Sequence, residues 1–512
     1  MEIKLLCKTA KTITFQIVNE KCFYSEENTE VYVNGKKEFI TLKNINTVYN
    51  LTPDKDYTVY VKNSDGESNK LEVKTEFAAF ILDIREFGAV GDGKTLNTFA
   101  IQTAIYSAPD NSVIEIPEGD YLTGPVLLKS NITINLAKNA RLTALRDREM
   151  YPILPASINR PDKTFYLGSW EGEPAGCFAS LFTGVSVSNV NITGEGTING
   201  NADYETWWKN AKIKRISWRP RTIFLTDCNN INIVGINIEN SPSWTVHPVF
   251  SSNLGFFDLR IKNPKDSPNT DGIDPESCRN VTIAGVKFSV GDDCIAIKSG
   301  KGKIGRDIGI PSENINIDNC HMEFGHGGVV IGSEMSGGIK NVNIKNCLFE
   351  NTDRGLRIKT RRGRGGVIDG IHAQNIVMDK VLTPFVINEF YYCDSDGKAE
   401  YVWSKEKKEV TEETPVIKNI TFKNMVCKNS EVCAGFMYGL PESKIERVML
   451  ENLTIDFVGN PKKDIPAMMD FIDPQSRGGF YFNNIKGLEI KNLIVENAEG
   501  EEIIRNNVEE YF

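Results

Sequence analysis

The chain has 512 residues, of which 40% are hydrophobic and 25% are charged, an ordinary composition for a globular protein long enough for two domains. Its net charge of −9 argues against binding to nucleic acids and against adsorption to anionic membranes. The sequence contains no run of about 18 apolar residues, so it predicts no membrane span. Lys8, Lys11 and Thr12 interrupt the continuous apolar stretch that a signal peptide would need. We therefore expect a cytoplasmic protein, with export as part of a longer precursor as the alternative.

Eleven cysteines are scattered along the chain without the paired spacing of a zinc site or the regular spacing of a disulfide framework. Cys278, Cys294, Cys320 and Cys347 recur at intervals close to one structural repeat, which favours an internal stack of small apolar side chains. The sequence therefore predicts reduced, buried thiols, and it predicts no metal and no other cofactor.

Residues 1–76 contain short stretches of alternating apolar and polar residues, separated by turn pairs such as Asn34-Gly35. This pattern predicts a small β-sandwich. The stretch 51–61 resembles a fibronectin type III module, in which Tyr57 would be the corner tyrosine. We expect this domain to support or occlude the second domain, residues 77–512, rather than to bind sugar independently.

A short unit of asparagine, an aliphatic residue, asparagine or threonine, and a further apolar residue returns throughout the second domain. Two of its steps are 34 residues, from Asn280 to Asn314, and 27 residues, from Asn314 to Asn341. Strand-rich repeats of this length are too short for βαβ units and predict an all-β fold with a right-handed parallel β-helix. Asparagine suits the tight left-handed turns between strands, and stacked amides can hydrogen-bond from coil to coil. The unit begins at Asn131, Asn189, Asn230, Asn280, Asn314, Asn341 and Asn419.

The run from Gly88 to Thr95 satisfies the pattern of a phosphate-binding loop. Strand repeats follow it instead of the parallel sheet with crossover helices that a nucleotide site requires, and Asp92 would place a negative charge in the phosphate cradle. The run instead resembles the opening of pectinase-type β-helices. In those proteins a helix, here beginning after Asn97, caps the open end of the solenoid.

Four short polar runs lie in this repeat-rich part of the chain. Coils of a parallel solenoid stack about 4.8 Å apart, so residues one coil apart are neighbours despite their separation in sequence. Each run alone would be an ordinary turn, but together they bring carboxylates, an imidazole and two cations to one face at steps of 21 to 33 residues. Such a group suits acid–base cleavage of an anionic sugar polymer. The runs are Asn269-Thr270-Asp271-Gly272, Gly291-Asp292-Asp293-Cys294, Gly325-His326-Gly327 and Arg357-Ile358-Lys359.

The spacing of the three aspartates leads to two further expectations. Aspartates one or two coils apart would be separated by about 6.5–9.5 Å, the distance at which an inverting glycosidase admits a water molecule. Three clustered carboxylates cannot all ionise without cost, so the pKa of one of them should rise into the range of a general acid.

The four runs, in this order, resemble the motifs of the polygalacturonases of glycoside hydrolase family 28, and the resemblance covers about residues 83–500. It implies that Asp292 is the general acid that protonates the glycosidic oxygen. It also implies that Asp271 and Asp293 hold and deprotonate the attacking water, and that His326 lies beside the acid and supports its protonation.

The same resemblance implies that Arg357 and Lys359 bind the carboxylate of the galacturonate at the cleavage site. Arg361 is followed closely by Arg362 and Arg364, and this basic run is expected to bind a further uronate because a guanidinium suits bidentate binding of a carboxylate. The other residues expected to contact the substrate are Asn269, Lys298, Trp208 and His247.

Two long aromatic insertions, residues 147–179 and residues 204–221, depart from a plain open-groove enzyme. Long loops on a solenoid usually cluster on its functional face, where these would close one end of the cleft. The stretches 271–278 and 331–338 also resemble bacterial exo-polygalacturonases. We therefore expect an exo-polygalacturonase that releases galacturonic acid from the non-reducing end of galacturonan or its oligomers by an inverting mechanism.

Several alternatives differ in product or in class. The enzyme would release digalacturonate if the pocket held two sugars, and it would act as an endo-polygalacturonase if the cleft were open. A pectate lyase would depend on calcium and produce an unsaturated sugar, and a non-enzymatic sugar-binding β-helix would not need the acid–base group. The expected partner is therefore the galacturonan substrate alone, and the sequence does not specify an oligomeric state.

Overall fold

The computed structural model describes residues 1–510 and consists almost entirely of β-strands. Its main feature is a 26-stranded sheet whose neighbouring coils pair in parallel, which confirms the predicted parallel β-helix preceded by antiparallel sheets. No helix among these residues is long and apolar enough to cross a membrane. The short helices are Ile84–Phe87, Thr98–Ser107, Arg148–Met150, Gly302–Ile308 and Glu400–Trp403.

The N-terminal domain contains two antiparallel sheets that enclose a small core, including Phe15, Val31 and Val59, none of which is exposed to solvent. The backbone N–H of Thr52 donates a hydrogen bond to the Tyr57 hydroxyl at 2.9 Å, the kind of contact expected of a corner tyrosine. One sheet consists of Glu2–Lys8, Ile13–Val18 and Ile45–Val48, and the other consists of Tyr24–Val33, Lys36–Lys43, Asp56–Asn63, Gly66–Glu67 and Leu71–Lys74.

This domain packs against the side of the β-helix. The Asn44 side chain donates a hydrogen bond to the Asn319 side chain at 2.8 Å, and the Tyr49 hydroxyl donates one to Asp258 at 3.1 Å. Ile45 is buried there in a small apolar cluster with residues of the β-helix. The domain is therefore fixed laterally on the solenoid.

The β-helix is held together by ladders of identical positions in successive coils. Ile132 pairs with Val190, Val190 with Ile231, and the same aliphatic position continues to Leu488. The strands of the continuous sheet are Ile81–Asp83, Asp92–Leu96, Ser112–Ile116, Gly119–Thr123, Ile132–Leu136, Ala140–Ala144, Ser188–Gly194, Thr197–Asn199, Asn229–Val234, Asn237–Glu239, Ser252–Phe257, Arg260–Lys262, Arg279–Ala284, Lys287–Ser289, Ile295–Ile297, Ser312–Asp318, His321–Gly332, Ile339–Glu350, Thr352–Lys359, Val367–Asp379, Thr383–Asn388, Val416–Ser430, Cys433–Tyr438, Ile445–Phe457, Gly478–Val495 and Ile503–Glu510.

The repeated asparagines occupy the left-handed turns between strands. Asn280 has φ 56°, and its amide donates to the Asn253 side chain at 3.0 Å while its own oxygen accepts from Asn314 at 3.2 Å. Asn253 lies in a coil between the coil of Asn230 and the coil of Asn280. Asparagine is favoured here because it tolerates the left-handed backbone and hydrogen-bonds along the stack.

The N-terminal end of the solenoid is covered by the helix Thr98–Ser107, which buries Ile101, Ala104 and Ile105. The run that precedes it forms a closed turn, because the Asp92 carboxylate accepts hydrogen bonds from the backbone N–H groups of Lys94 and Thr95 at 2.9 and 2.7 Å. These amide groups are thus already satisfied by Asp92.

A shorter parallel sheet and three small hairpins complete the functional side of the solenoid. The shorter sheet continues through single bridges at Ile273 and Glu276 to the strand Ile295–Ile297. All eleven cysteines are free thiols, and Cys278, Cys294, Cys320 and Cys347 are buried in the core, as predicted. The sheet consists of Val126–Leu127, Phe182–Val185, Ile223–Thr226 and Val246–Val249, and the hairpins pair Ile153–Leu154 with Cys177–Phe178, Ser157–Asn159 with Thr164–Tyr166, and Ser169–Trp170 with Glu173–Pro174.

Candidate active site

A cavity of about 600 Å³ lies on the outer face of this sheet. The inward-facing positions beneath it form a ladder in which Ile273 pairs with Ile295, Ile295 with Val329, and Val329 with Leu356. Because side chains alternate along a strand, the neighbouring positions face outward and supply the floor of the cavity. Among the lining residues are Asn269, Asp271, Asp292, Asp293, Lys298, Glu334 and Lys359, and none belongs to residues 1–76.

The structure brings the three predicted aspartates together. Asp271, Asp292 and Asp293 each have a carboxylate oxygen within 4.8 Å of an oxygen of the other two. Their nearest oxygens thus approach more closely than the separation of about 6.5–9.5 Å expected for the carboxyl groups, because Asp271 and Asp293 project from adjacent coils and Asp292 precedes Asp293 directly.

Asp292 forms an ion pair with His326, whose Nδ1 lies 3.3 Å from its carboxylate. Burial by itself would raise the pKa of Asp292, but the hydrogen bond and positive charge of His326, followed by Lys359 and Lys298, lower it to about 2. The same hydrogen bond raises the pKa of His326 to about 9. Asp292 is therefore ionised in the free enzyme at neutral pH. This corrects the expectation for His326, which opposes the protonation of Asp292 because it is itself positively charged.

The predicted rise in the pKa of one aspartate occurs at Asp271. It is almost fully buried, and burial, followed by the charges of Asp274 and Asp292, raises its pKa well above the usual value. Asp274, which the sequence analysis did not include, is also buried with both carboxylate oxygens unpaired within residues 1–510. Asp274 could have been found from the sequence, because it lies three residues after Asp271 in a run that crosses the sheet.

Lys359 lines the cavity, and its ammonium group donates a hydrogen bond to the Asp293 carboxylate at 2.7 Å. Arg357 lies 3.7 Å from the same carboxylate, and its guanidinium donates a hydrogen bond to the Met468 sulfur at 3.3 Å and lies 5.5 Å from the centre of the Tyr391 ring. Both side chains are buried to nearly the same extent, but Lys359 lines the cavity and Arg357 does not.

Lys298 lies farther along the floor, where it pairs with Glu334 at 3.1 Å and lies 4.9 Å from the centre of the Trp244 ring. Burial opposes its charged form, but the charges of Glu334 and of the aspartates Asp274, Asp271 and Asp293 together outweigh burial and raise the pKa of Lys298. Asp293 and Lys298 flank the strand Ile295–Ile297, and five residues of extended chain span about 16 Å. The cavity thus runs along the strands from the aspartates past Lys298.

His247 does not contact the cavity, which corrects the expectation that it binds substrate. It is fully buried, accepts a hydrogen bond from Arg221 at 3.2 Å, and lies 2.9 Å from the Glu276 carboxylate. Burial, followed by the charges of Arg221 and Lys298, lowers its pKa well below the usual value, so it packs as a neutral ring beneath Trp244.

Trp208 is also misassigned by sequence, because its indole is buried in a separate cluster and donates a hydrogen bond to the Ser241 carbonyl at 3.0 Å. The tryptophans that line the cavity are Trp170, Trp218 and Trp244. Trp170 stacks on Trp218 with ring centres 4.5 Å apart. Asn269 does line the cavity, where its side-chain oxygen accepts a hydrogen bond from Arg219 at 2.6 Å.

Arg361 and Arg364 stabilise a loop instead of binding a further uronate. Their guanidinium groups pair with Asp394 at 3.1 and 2.7 Å, and Arg362 pairs with Glu442. All three side chains are buried, because the chain after Lys359 turns into the protein and these charges serve as internal partners.

Three segments close the end of the cavity beyond Lys298. Lys301 donates a backbone hydrogen bond to Gly172 at 3.0 Å, in the hairpin Ser169–Pro174. Ser299 donates one to the Glu334 carbonyl at 2.7 Å. The Lys301 ammonium group pairs with Asp394 at 2.7 Å, in the third segment. Both insertions predicted from sequence thus reach the cavity, the first at Trp170 and Glu171 and the second at Lys212 and Trp218. A loop around residues 391–394, which was not predicted, also lines it.

The model of the glycosyl hydrolases family 28 matches residues 107–470 of this chain, which include all four runs. The chain belongs to glycoside hydrolase family 28. The match covers more than half of the chain and most of the β-helix.

Individual members of the family support this assignment. An endo-polygalacturonase of Pectobacterium carotovorum is 32% identical over 65% of this chain and 78% of its own length. The structure of a hyperthermoactive exopolygalacturonase of Thermotoga maritima has a TM-score of 0.64 and 30% identity over 74% of this chain and 87% of that chain. The structure of a family 28 exopolygalacturonase of Yersinia enterocolitica covers 99% of this chain and 98% of its own, with a TM-score of 0.72 and 21% identity. The chain is therefore a family 28 polygalacturonase, with relatives of both exo and endo type.

Replacing Asp292 with Asn should abolish most hydrolysis of polygalacturonate while leaving the stacked coils intact. Loss of a general acid typically costs about 10²–10⁴-fold in rate. The measurement is kcat by release of reducing ends, with circular dichroism as the control for folding. Hydrolysis within a factor of three of wild type by the folded variant would contradict the role of Asp292.

The ion pair between Asp292 and His326 should give a histidine with an unusual titration. Because its folded-state pKa is raised to about 9, its stabilising effect is complete below the ordinary histidine pKa of about 6.5 and is lost as the pH rises through about 9. Asp292→Asn should return the pKa of His326 towards about 6.5 in an NMR titration, without moving the other three histidines. An unshifted His326 in the wild-type protein would refute the ion pair.

Proposed function

We propose that this polygalacturonase acts as an exo-enzyme that removes single galacturonate units from the non-reducing end of galacturonan. The closed end of the cavity carries this proposal. The three predicted aspartates lie towards one end, while Glu171, Glu334 and Asp394 lie around the other. A chain that passed through such a cavity would meet this wall, whereas a chain end fits inside it.

In the proposed reaction, the terminal galacturonate lies between the aspartates and the closed end, with its carboxylate near Lys359 or Lys298. Its negative charge and the exclusion of water both raise the pKa of Asp292, which is ionised in the free enzyme. Asp292 therefore takes up a proton from solvent as the substrate binds, and this proton passes to the glycosidic oxygen as its bond to the anomeric carbon breaks. Asp271 and Asp293 hold the water between them, and the proton of this water passes to that pair.

We further propose that the configuration at the anomeric carbon is inverted, although the nearest oxygens of the aspartates lie within 4.8 Å of one another and the carboxyl groups of retaining enzymes are only roughly 5–5.5 Å apart. A retaining enzyme needs a free carboxylate nucleophile. Burial raises the pKa of Asp271, which favours its protonated form. One oxygen of Asp293 is held by Lys359 at 2.7 Å, and the other has no hydrogen-bond partner within residues 1–510, so it can accept a hydrogen bond from the water. Each is better suited to holding a water molecule than to attacking the sugar.

Proton NMR of the first product formed distinguishes these two outcomes. Cleavage of the α-linkage with inversion should give the β-anomer of galacturonic acid before mutarotation sets in. Initial formation of the α-anomer would show retention and would make one of the aspartates a nucleophile.

The endo alternative is favoured by relatives described as endo-polygalacturonases, and the lyase alternative by the closeness of three carboxylates that could hold a cation. The buried Lys298 and Lys359 already supply positive charge beside these carboxylates. Digestion in the presence of a chelator therefore separates a hydrolase from a calcium-dependent lyase, and the size of the products separates exo from endo action.

Polygalacturonate digested in EDTA should release galacturonic acid from the earliest time points, while the viscosity falls slowly. The reason is that each cleavage at a chain end removes one sugar and leaves the polymer almost as long as before. The measurements are chromatography of the products, viscosity and ultraviolet absorbance. A rapid fall in viscosity with a ladder of oligomers would show endo action, early dimer alone would show a two-sugar pocket, and an unsaturated product that disappears with EDTA would show a lyase.

A further inference from the structure

Glu171 occupies a turn position at which a glutamate is rare. The strands Ser169–Trp170 and Glu173–Pro174 pair Trp170 with Glu173, so Glu171 and Gly172 are the two turn residues. Both have left-handed backbones, with φ values of 50° and 79°. Asn-Gly is the preferred pair in such a turn, and a glutamate is strained there because its Cβ crowds the backbone.

The turn has no freedom to move away from the cavity. A Cβ atom on Gly172 would lie 2.7 Å from the side chain of Glu334 and 3.0 Å from that of Lys301. The neighbouring Trp170 is fixed by its stack on Trp218. The strained glutamate is therefore held in the wall of the cavity by tight packing on both sides.

Glu171 also differs in its charge partners from the two other carboxylates of the closed end. Glu334 pairs with Lys298 at 3.1 Å and Asp394 with Lys301 at 2.7 Å. For Glu171, no basic group within residues 1–510 lies within the 4.0 Å of an ion pair. Its carboxylate is thus the acceptor of the closed end that remains available to a ligand.

We propose that Glu171 is a specificity-determining residue that limits the product to one galacturonate. It accepts a hydrogen bond from a hydroxyl group of the terminal sugar and excludes a second uronate by charge repulsion. This inference rests on the proposed exo action and adds to it the group that recognises the chain end.

The chemistry of the substrate gives the reason for this selectivity. At the non-reducing end the sugar presents a free hydroxyl, which can donate a charge-assisted hydrogen bond to a carboxylate. Inside the chain the same oxygen is part of a glycosidic bond and has no proton to donate. The next sugar would also bring its own carboxylate against Glu171, with Glu334 and Asp394 behind it, and like charges out of water repel strongly.

The test compares Glu171→Gln and Glu171→Asn with wild type on tetragalacturonate labelled at its reducing end. Wild type should give labelled trimer and free monomer. In both variants kcat/KM for monomer release should fall about 10- to 100-fold, the loss expected for a hydrogen bond to a charged group. The ratio of labelled dimer to labelled trimer should rise, because a second uronate is no longer repelled.

Glu173→Gln is the matched control, since this exposed residue belongs to the same hairpin but lies outside the cavity. It should keep the wild-type products and rate. Glu171→Asn should unfold at a temperature no lower than wild type, because asparagine favours a left-handed turn, so its loss of activity cannot be attributed to misfolding.

The outcomes separate this inference from the proposed function. If wild type releases monomer and both Glu171 variants keep its product ratio and a kcat/KM within twofold, the role of Glu171 is overturned and exo action stands. If wild type itself yields mixed oligomers or does not hydrolyse tetragalacturonate, the proposed function and the role of Glu171 are overturned together.

Discussion

The register of the parallel coils is the constraint on which the rest of this structure depends. Neighbouring parallel strands lie about 4.8 Å apart, and the ladder from Val246 through Ile273 and Ile295 to Val329 keeps apolar side chains facing inward. The outward positions are then placed in rows with the same spacing. Residues that are 21 or 33 positions apart in sequence become neighbours without any local chain reversal, which is how the aspartates and His326 meet.

This arrangement concentrates charge on a floor where Asp271 and Asp293 are buried. A buried carboxylate is costly unless it is paired or protonated, and the site uses both solutions. Asp292 and Asp293 are paired with His326 and Lys359, whereas burial raises the pKa of Asp271. Each of the three carboxylates therefore has a different environment, although all of them lie on one floor.

The irregular segments, by contrast, decide the shape of the cavity. Their charged residues mainly form ion pairs that hold the segments together, as Arg361 and Arg364 do with Asp394. The N-terminal domain lies on the flank of the solenoid and supplies no residue to the cavity. Closure is thus a property of insertions within the β-helix and of the contacts between them.

The sequence by itself determined the β-helix and its group of acidic and basic residues, because a solenoid repeats and a residue's position within its coil can be read from the spacing of the asparagines. It did not determine which loop residues face the substrate. Trp170 and Trp208 occur in similar aromatic insertions, yet only the first lines the cavity, and Arg361 turns inward two residues after Lys359. Loops of irregular length have no repeat to fix their direction. That the pKa is raised at Asp271 and lowered at Asp292 depends on burial and on His326. Those features were decided by the tertiary structure, where packing and desolvation act on residues distant in sequence.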